Sequence, residues 1–434
     1  MPHTLKDVLP VTATVNAKDR LEIGGLDTAD LAIEFGTPLF VFCEETFRQR
    51  AREFKKHVGE DIFYAAKAFI CTALCNLVQE EGLGLDVASG GELHVALQSG
   101  FPAERMVLHG NNKEDADILR AVEAGIGRIA IDNLEEIDRV SAAATSFGVT
   151  QPVIIRVTPG VEAHTHHYIQ TGQEDSKFGL SIEGGLATEA VKRSIEAPGL
   201  RLVGIHAHIG SNIFSYDPYA KTLEILLAFV AAVRTDSGFE MEEVNLGGGI
   251  GIPYVAGDYP ANLELLGSLV RETAKKESDL HGVPLPRLTF EPGRFLIGNA
   301  MVTLYTVGAV KEVPGIRTFV SVDGGMSDNI RPALYEARYS AVLANKARHE
   351  PTRLVTVAGM HCESGDLLIR DVALPESIER DDILAVPATG AYGYSMSSNY
   401  NKQPRPAVIA VRDGNARVIV RRESFDDLVR LDQR

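Results

Sequence analysis

A lysine at the end of a short apolar strand is the first residue of this chain that could do covalent chemistry. In DIFYAAKAF (61–69) the strand stops at Lys67, with Ala65, Ala66 and Ala68 packed around it. An ammonium partly desolvated at such a strand end holds its proton less tightly, and the neutral amine is what a Schiff base with an aldehyde requires. A lysine so placed can equally snorkel to solvent. The glycine run Gly247-Gly248-Gly249-Ile250-Gly251 lets backbone N–H groups approach a phosphate closely, although such a run also serves as a plain loop. Glu291, in EPGR, is a buried carboxylate that needs a partner; a protonated ring nitrogen would serve, and so would Arg294. His206 and His208 share one face if HAH is extended, where an imidazole stacks on a ring, ligates a metal or fills a core. In HCESGD (361–366), Cys362 lies beside Glu363 and Asp366, whose charges keep the thiol protonated and able to donate. Arg331 and Tyr335 of RPALY are four apart and suit a carboxylate, and Tyr392 occupies a glycine-flanked turn.

These residues must be held by something, and the apolar pattern says what. Short strands are predicted at 61–66, 84–88, 105–109, 128–132, 152–158, 202–208, 243–246 and 287–291, with helical stretches between them. Strand–helix alternation with this count predicts an α/β fold, a (β/α)8 TIM-like barrel over 46–303; an open doubly wound sheet has the same units without closure. From 304 to 434 the strands are separated by Gly, Pro and Asp turns, with VRDGNARV a hairpin, and predict an antiparallel β domain. Residues 1–45, with a strand at 38–42, are assigned to that second domain. In a barrel the reactive groups gather where strands end. Lys67 follows the first strand, and Asp86 ends the second, ahead of Ser89-Gly90-Gly91 opening a helix. His206, His208 and Ser211 follow the sixth, Gly247 to Gly249 the seventh, and Glu291, Gly293 and Arg294 the eighth. Amine, glycines and acid on one rim describe a pyridoxal 5'-phosphate site. The amine meets the aldehyde, the glycines the phosphate, and Glu291 keeps the ring nitrogen protonated so that the ring withdraws electrons from a substrate carbon.

Composition narrows the classes. The 434 residues imply more than one core, and 45% apolar with 24% charged residues is the balance of a soluble globular protein. A formal charge of −16 without a basic run argues against a nucleic-acid surface. No apolar run is long enough to span a bilayer and MPHTLKDVLP has no signal-peptide pattern, so a cytoplasmic protein with no membrane partner is expected. Cys43, Cys71, Cys75 and Cys362 form no secreted disulfide framework; Cys71 and Cys75 read as small apolar residues of one helix. A metal-dependent hydrolase barrel is the competing class, because His206 and His208 with His109 and Asp132 could ligate zinc. That reading leaves Lys67, EPGR and CESGD without a task.

Taken in order, YAAKA, DVASGGEL, HTHHYIQTGQEDSKFGL, HAHIGS, NLGGGIG, EPGR, RPALY, CESGD and GAY resemble the motifs of the meso-diaminopimelate decarboxylases, fold-type III pyridoxal-phosphate enzymes. Several are shared with ornithine- and arginine-type decarboxylases; RPALY and CESGD discriminate substrate. The resemblance implies Lys67 as the Schiff-base lysine, with His208 stacked on the ring. Ser211, Gly247 to Gly249 and the 291–294 segment would hold phosphate and pyridine. It further implies Arg294, Arg331 and Tyr335 on the substrate's distal carboxylate and Glu363 on its distal amine. Cys362 would be the proton donor and Tyr392 would touch cofactor and substrate. The implied assembly is a head-to-tail homodimer in which Cys362 and Glu363 reach the partner's barrel, and the implied reaction yields L-lysine and CO2. Phe69 departs from the polar residue common two places after the lysine.

Overall fold

The computed structural model describes residues 5–161 and 177–433; most of the HTHHYIQTGQEDSKFG motif, residues 164–176, lies outside them. The chain divides into two units, one of residues 51–251 and 261–293, the other of residues 1–50, 252–260 and 294–434. The predicted boundaries at 45/46 and 303/304 therefore fall at 50/51 and 293/294, and Ile252–Pro260 groups with the β unit, which no sequence pattern announces.

The first unit is the barrel. Its strands are Phe63–Ala65, Gly84–Val87, Met106–Leu108, Arg128–Ile131, Gln151–Thr158, Leu200–His206, Glu243–Asn245 and Arg287–Thr289, paired in parallel and in chain order. An open doubly wound sheet would leave two edges. Here Phe63 N–H donates to the Phe290 carbonyl at 2.8 Å, Phe290 N–H to that of Asp61 at 3.1 Å, and a parallel bridge joins Ile62 to Phe290, so the eighth strand closes on the first. Short, almost wholly apolar strands suit this arrangement because a barrel strand covered by helices is buried on both faces. Phe63, Val107, Ala130, Ile154 and Val203 pack together in a buried cluster contributed by five of the strands. Helix starts are marked in the sequence: Ser89 accepts from Glu92 N–H, Asn133 from Glu136 N–H and Asn262 from Leu265 N–H. Cys75 lies buried in the Thr72–Glu80 helix, and burial pushes its thiol up to about 12.

The second unit is built on a nine-stranded sheet whose hub is the long strand Met301–Val313. It pairs antiparallel with Leu39–Cys43, Arg317–Val322 and Ile383–Pro387. Two pairings are parallel, Leu39–Cys43 with Ala407–Arg412 and Arg317–Val322 with Arg353–Ala358. All five residues of LFVFC are buried, as a central strand requires. The VRDGNARV hairpin turns at Asp413 and Gly414, both at positive φ, the geometry for which Asp-Gly is suited.

Candidate active site

Lys67 lies two residues past the first barrel strand, in a single 3-10 turn, Ala66–Ala68. The turn is anchored from beneath: Ala66, Ala68 and Phe69 are buried, and the Tyr64 hydroxyl donates to the Phe69 carbonyl at 2.8 Å. Phe69 is thus a packing residue. The Lys67 side chain itself is exposed, which corrects the expectation that the strand end desolvates it. The turn carries the amine out past the buried layer. Gly293 fits against this turn from the eighth strand, where a Cβ would meet Ala65 and Ala68 at 3.0–3.1 Å.

Glu291 lies two residues past the eighth strand and is buried. Its Oε1 accepts from Asn245 Nδ2 at 2.8 Å and pairs with His109 Nε2 at 2.8 Å; its Oε2 pairs with His206 Nε2 at 2.9 Å. Burial alone would raise this carboxyl; His109 and His206 outweigh burial and hold it well below the usual carboxylate range. Burial drives His206 down to about 4 against the pull of Glu291, so its ring is neutral at pH 7 and gives its one proton to Glu291. The other ring nitrogen, Nδ1, is a buried atom without a hydrogen-bond partner, as that tautomer requires. These partners come from the third, sixth and seventh strands, and neither His109 in this role nor Asn245 is flagged by any local motif.

The strand carrying HAH ends at His206, so the shared-face argument stops there. His206 turns to Glu291, whereas half-buried His208 accepts at Nδ1 from the Gly248 N–H at 3.2 Å. Burial first, then the charges of Lys67 and Arg156, keep His208 well below its ordinary value and therefore neutral. Asp86 lies within the second strand and is buried, with Oδ1 lacking a hydrogen-bond partner and 3.9 Å from His109 Nε2. Burial raises it, opposed by His109 and Lys67. Arg156, of the fifth strand, is buried between Asp132 at 3.7 Å and the Phe178 ring at 4.3 Å, and its charge reaches Asp86 and His208.

The glycine loop follows the seventh strand. Gly247 and Gly249 hold φ of +66° and +101°. Gly248 is needed for closeness: a Cβ there would strike the Glu291 carbonyl, and one on Gly249 the Gly210 carbonyl, at the loop that carries Ser211. Gly247 N–H donates to Asn245 Oδ1 at 2.8 Å and Tyr219 holds the Gly248 carbonyl at 2.8 Å.

The remaining candidates belong to the β unit. Arg294 starts the Arg294–Ile297 helix and is buried, donating to the Tyr254 hydroxyl with its guanidinium 4.9 Å from the Tyr392 ring centroid. Arg331, buried at the start of the Arg331–Tyr335 helix, donates to the Tyr339 hydroxyl and lies 4.8 Å from the Tyr254 ring. Tyr335, at the other end of that helix, is half-buried. Cys362 and Glu363 are exposed; Cys362 N–H donates to Asn401 Oδ1 at 3.2 Å. Asp366 is not a free charge beside the thiol, as the motif suggests. It is buried and accepts from Met326 N–H at 2.7 Å and His361 N–H at 2.9 Å, pinning the loop that carries Cys362.

Residues 44–298 match the family described as pyridoxal-dependent decarboxylase, pyridoxal binding domain. The diaminopimelate decarboxylase of Halalkalibacterium halodurans is 48% identical over 429 residues, 97% of each chain. The crystal structure of diaminopimelate decarboxylase from M. jannaschii superposes with a TM-score of 0.91 at 34% identity, covering 98% of both chains. Its co-complex with L-lysine gives 0.90 at 34% identity, covering 97% of this chain and 98% of that one. The chain belongs to the diaminopimelate decarboxylase family.

The cofactor of that family, pyridoxal phosphate, fits what the barrel presents. A carboxylate offers about four lone-pair positions. Among the described residues Glu291 uses three, leaving one on Oε2 for a ring N–H. The glycine loop leaves no room for a Cβ, and Asp86 keeps an unsatisfied buried oxygen. His109, His206 and Glu291 also bring their ligand atoms within 4.8 Å of one another. Both oxygens of Glu291 are hydrogen-bonded to these rings, and Asp132 accepts from the Gly179 N–H at 3.1 Å.

Proposed function

We infer that this chain decarboxylates meso-2,6-diaminopimelate to L-lysine and CO2 with pyridoxal phosphate as cofactor. The observation that carries the substrate is the pair of buried guanidiniums, Arg294 and Arg331, in a chain matching diaminopimelate decarboxylases over nearly its whole length. Two buried cations are matched by a substrate that keeps a carboxylate after CO2 has left; ornithine-type substrates have none to offer.

When bound, the cofactor supplies an electron-withdrawing ring that stabilises negative charge at the carbon losing CO2. Lys67 would hold it through the aldehyde, and Gly247 to Gly249 with Ser211 would take the phosphate through backbone and hydroxyl donors. Glu291, held ionised by His109, His206 and Asn245, would keep the ring nitrogen protonated. Neutral His208 would stack on the ring without repelling that cationic nitrogen. Asp86 and Gly293 would line the site beside Lys67, and Tyr392 would touch cofactor and substrate. Arg294, Arg331 and Tyr335 would orient the distal carboxylate and Glu363 the distal amine. Cys362 would deliver a proton from Sγ to the carbon that lost CO2. Cys362 and Glu363 are exposed in the single chain, which supports a homodimer in which they complete the partner's site. We place the protein in the cytoplasm; no described helix is long and apolar enough to cross a membrane.

The test is a pair of variants. Lys67→Ala should lose the visible absorbance of the bound cofactor and all turnover, whereas Cys362→Ala should keep the absorbance and lose turnover. Lysine formation retained by the Lys67 variant refutes the scheme. CO2 release from ornithine or arginine, but not from diaminopimelate, would move the enzyme to the neighbouring substrate class.

A further inference from the structure

Arg294 and Arg331 converge on one phenol. Arg294 donates to the Tyr254 hydroxyl through Nη1, and the Arg331 guanidinium lies 4.8 Å from the centre of the same ring. Tyr254 is buried and braced edge-on by the Tyr339 ring, 5.4 Å between centroids at 87°, and its backbone N–H is tied to Asp258 Oδ2 at 2.9 Å. Buried guanidiniums require compensating acceptors, and phenol oxygens serve here, Tyr254 for Arg294 and Tyr339 for Arg331.

We propose that Tyr254 stands in for the substrate's distal carboxylate between Arg294 and Arg331 and takes up one proton when that carboxylate arrives. This rests on the reading of the two arginines as the carboxylate site. Without ligand, and above the pH at which Tyr254 ionises, the phenolate supplies the negative charge beside both guanidiniums. When the carboxylate docks, it supplies the negative charge, a solvent proton adds to the Tyr254 oxygen, and the neutral hydroxyl is freed to donate to the newcomer. The balance is one carboxylate and one proton bound for one phenolate neutralised. The groups facing Tyr254 agree with this. Burial alone would raise its hydroxyl, and the Arg294 and Arg331 charges outweigh burial and leave it below the ordinary tyrosine value. Tyr339 is held above its ordinary value, chiefly by burial, so that it stays a neutral brace. Tyr254 is then a positioning residue that favours ligands bearing a carboxylate at that end.

L-Lysine and cadaverine differ only in the carboxylate concerned, so the holoenzyme is titrated with each across the alkaline range. L-Lysine should bleach the ultraviolet absorbance of one tyrosinate and draw about one proton from the buffer, and its apparent Kd should rise about tenfold per pH unit once Tyr254 ionises. Cadaverine should do neither. In Tyr254→Phe, L-lysine should bind with no tyrosinate signal and no proton uptake, KM for diaminopimelate should change more than kcat, and the tyrosine-linked rise in Kd should vanish. L-Lysine bound to the wild-type enzyme without tyrosinate bleaching, a measurement needing no variant, overturns the proposal, as does unchanged proton uptake in Tyr254→Phe. Equal affinity for L-lysine and cadaverine would instead overturn the reading of the arginines themselves.

Discussion

Glu291 and His206 together make the barrel rim sensitive to acid. His206 titrates near 4 in the folded chain against 6.5 when unfolded, because burial favours its neutral ring. Between those values the unfolded state binds more protons, so folding stability rises with pH and is lost as the pH falls from 6.5 towards 4, by about 3 kcal/mol if His206 acts alone. Glu291 acts in the same direction at lower pH. Its depressed carboxyl adds stability above its unfolded value, and that stability is lost as the pH falls through its folded value. Urea unfolding at pH 7, 6 and 5 should show the fall. His206→Gln, which keeps an N–H donor for Glu291 and cannot titrate, should flatten it; an unchanged slope would assign the acid sensitivity elsewhere. Much of this rim was legible residue by residue: Lys67, the glycines and Glu291 stand in recognisable local contexts. His109, Asn245, Arg156 and Tyr254 do not, because each acts through a partner distant in the chain.

The loop carrying Cys362 is positioned by hydrogen bonds its own motif does not disclose. Asp366 accepts from the backbone of Met326 and His361, the His361 ring meets Ser327 Oγ at 2.8 Å, and Asn401 accepts from the Cys362 N–H. Replacing the carboxylate by an amide turns one acceptor into a donor facing an N–H, which costs about 1–3 kcal/mol for the unsatisfied buried group. Asp366→Asn should therefore lower the unfolding midpoint and reduce kcat while leaving the cofactor's visible spectrum intact. Loss of that spectrum would show that the loop does more than hold the thiol. At the Lys67 turn packing and a hydrogen bond act together: Tyr64, Phe69, Ala66 and Ala68 are all buried, and the Tyr64 hydroxyl donates to the Phe69 carbonyl.

At the scale of the whole molecule, most of the candidate cofactor residues belong to the barrel unit, while Arg294, Tyr392 and the substrate and proton-donor candidates belong to the β unit. If Cys362 serves the partner's barrel, Lys67→Ala and Cys362→Ala chains are each inactive alone, yet a mixed dimer contains one site with both residues intact. Random reassortment of equal amounts should restore about a quarter of wild-type activity, since half the dimers are mixed and each holds one whole site. No recovery after verified subunit exchange would place Cys362 in its own chain's site.

Read alone, the sequence determined the barrel strands to within a few residues, the carboxyl-end positions of Lys67, Gly247 to Gly249 and Glu291, and the cofactor class. All of these are written in local alternation, turn chemistry and short motifs. Barrel closure through Ile62 and Phe290, the return of Ile252–Pro260 to the β unit and the exposure of Lys67 were decided only in three dimensions. So was the surrounding of Glu291 by two histidines and an asparagine, where the local sequence offers only Arg294. The physical reason is common to them. Each is a pairing between groups separated by tens to hundreds of residues, and a buried charge is settled by whichever donors the closed barrel brings to it, not by its neighbours in the chain.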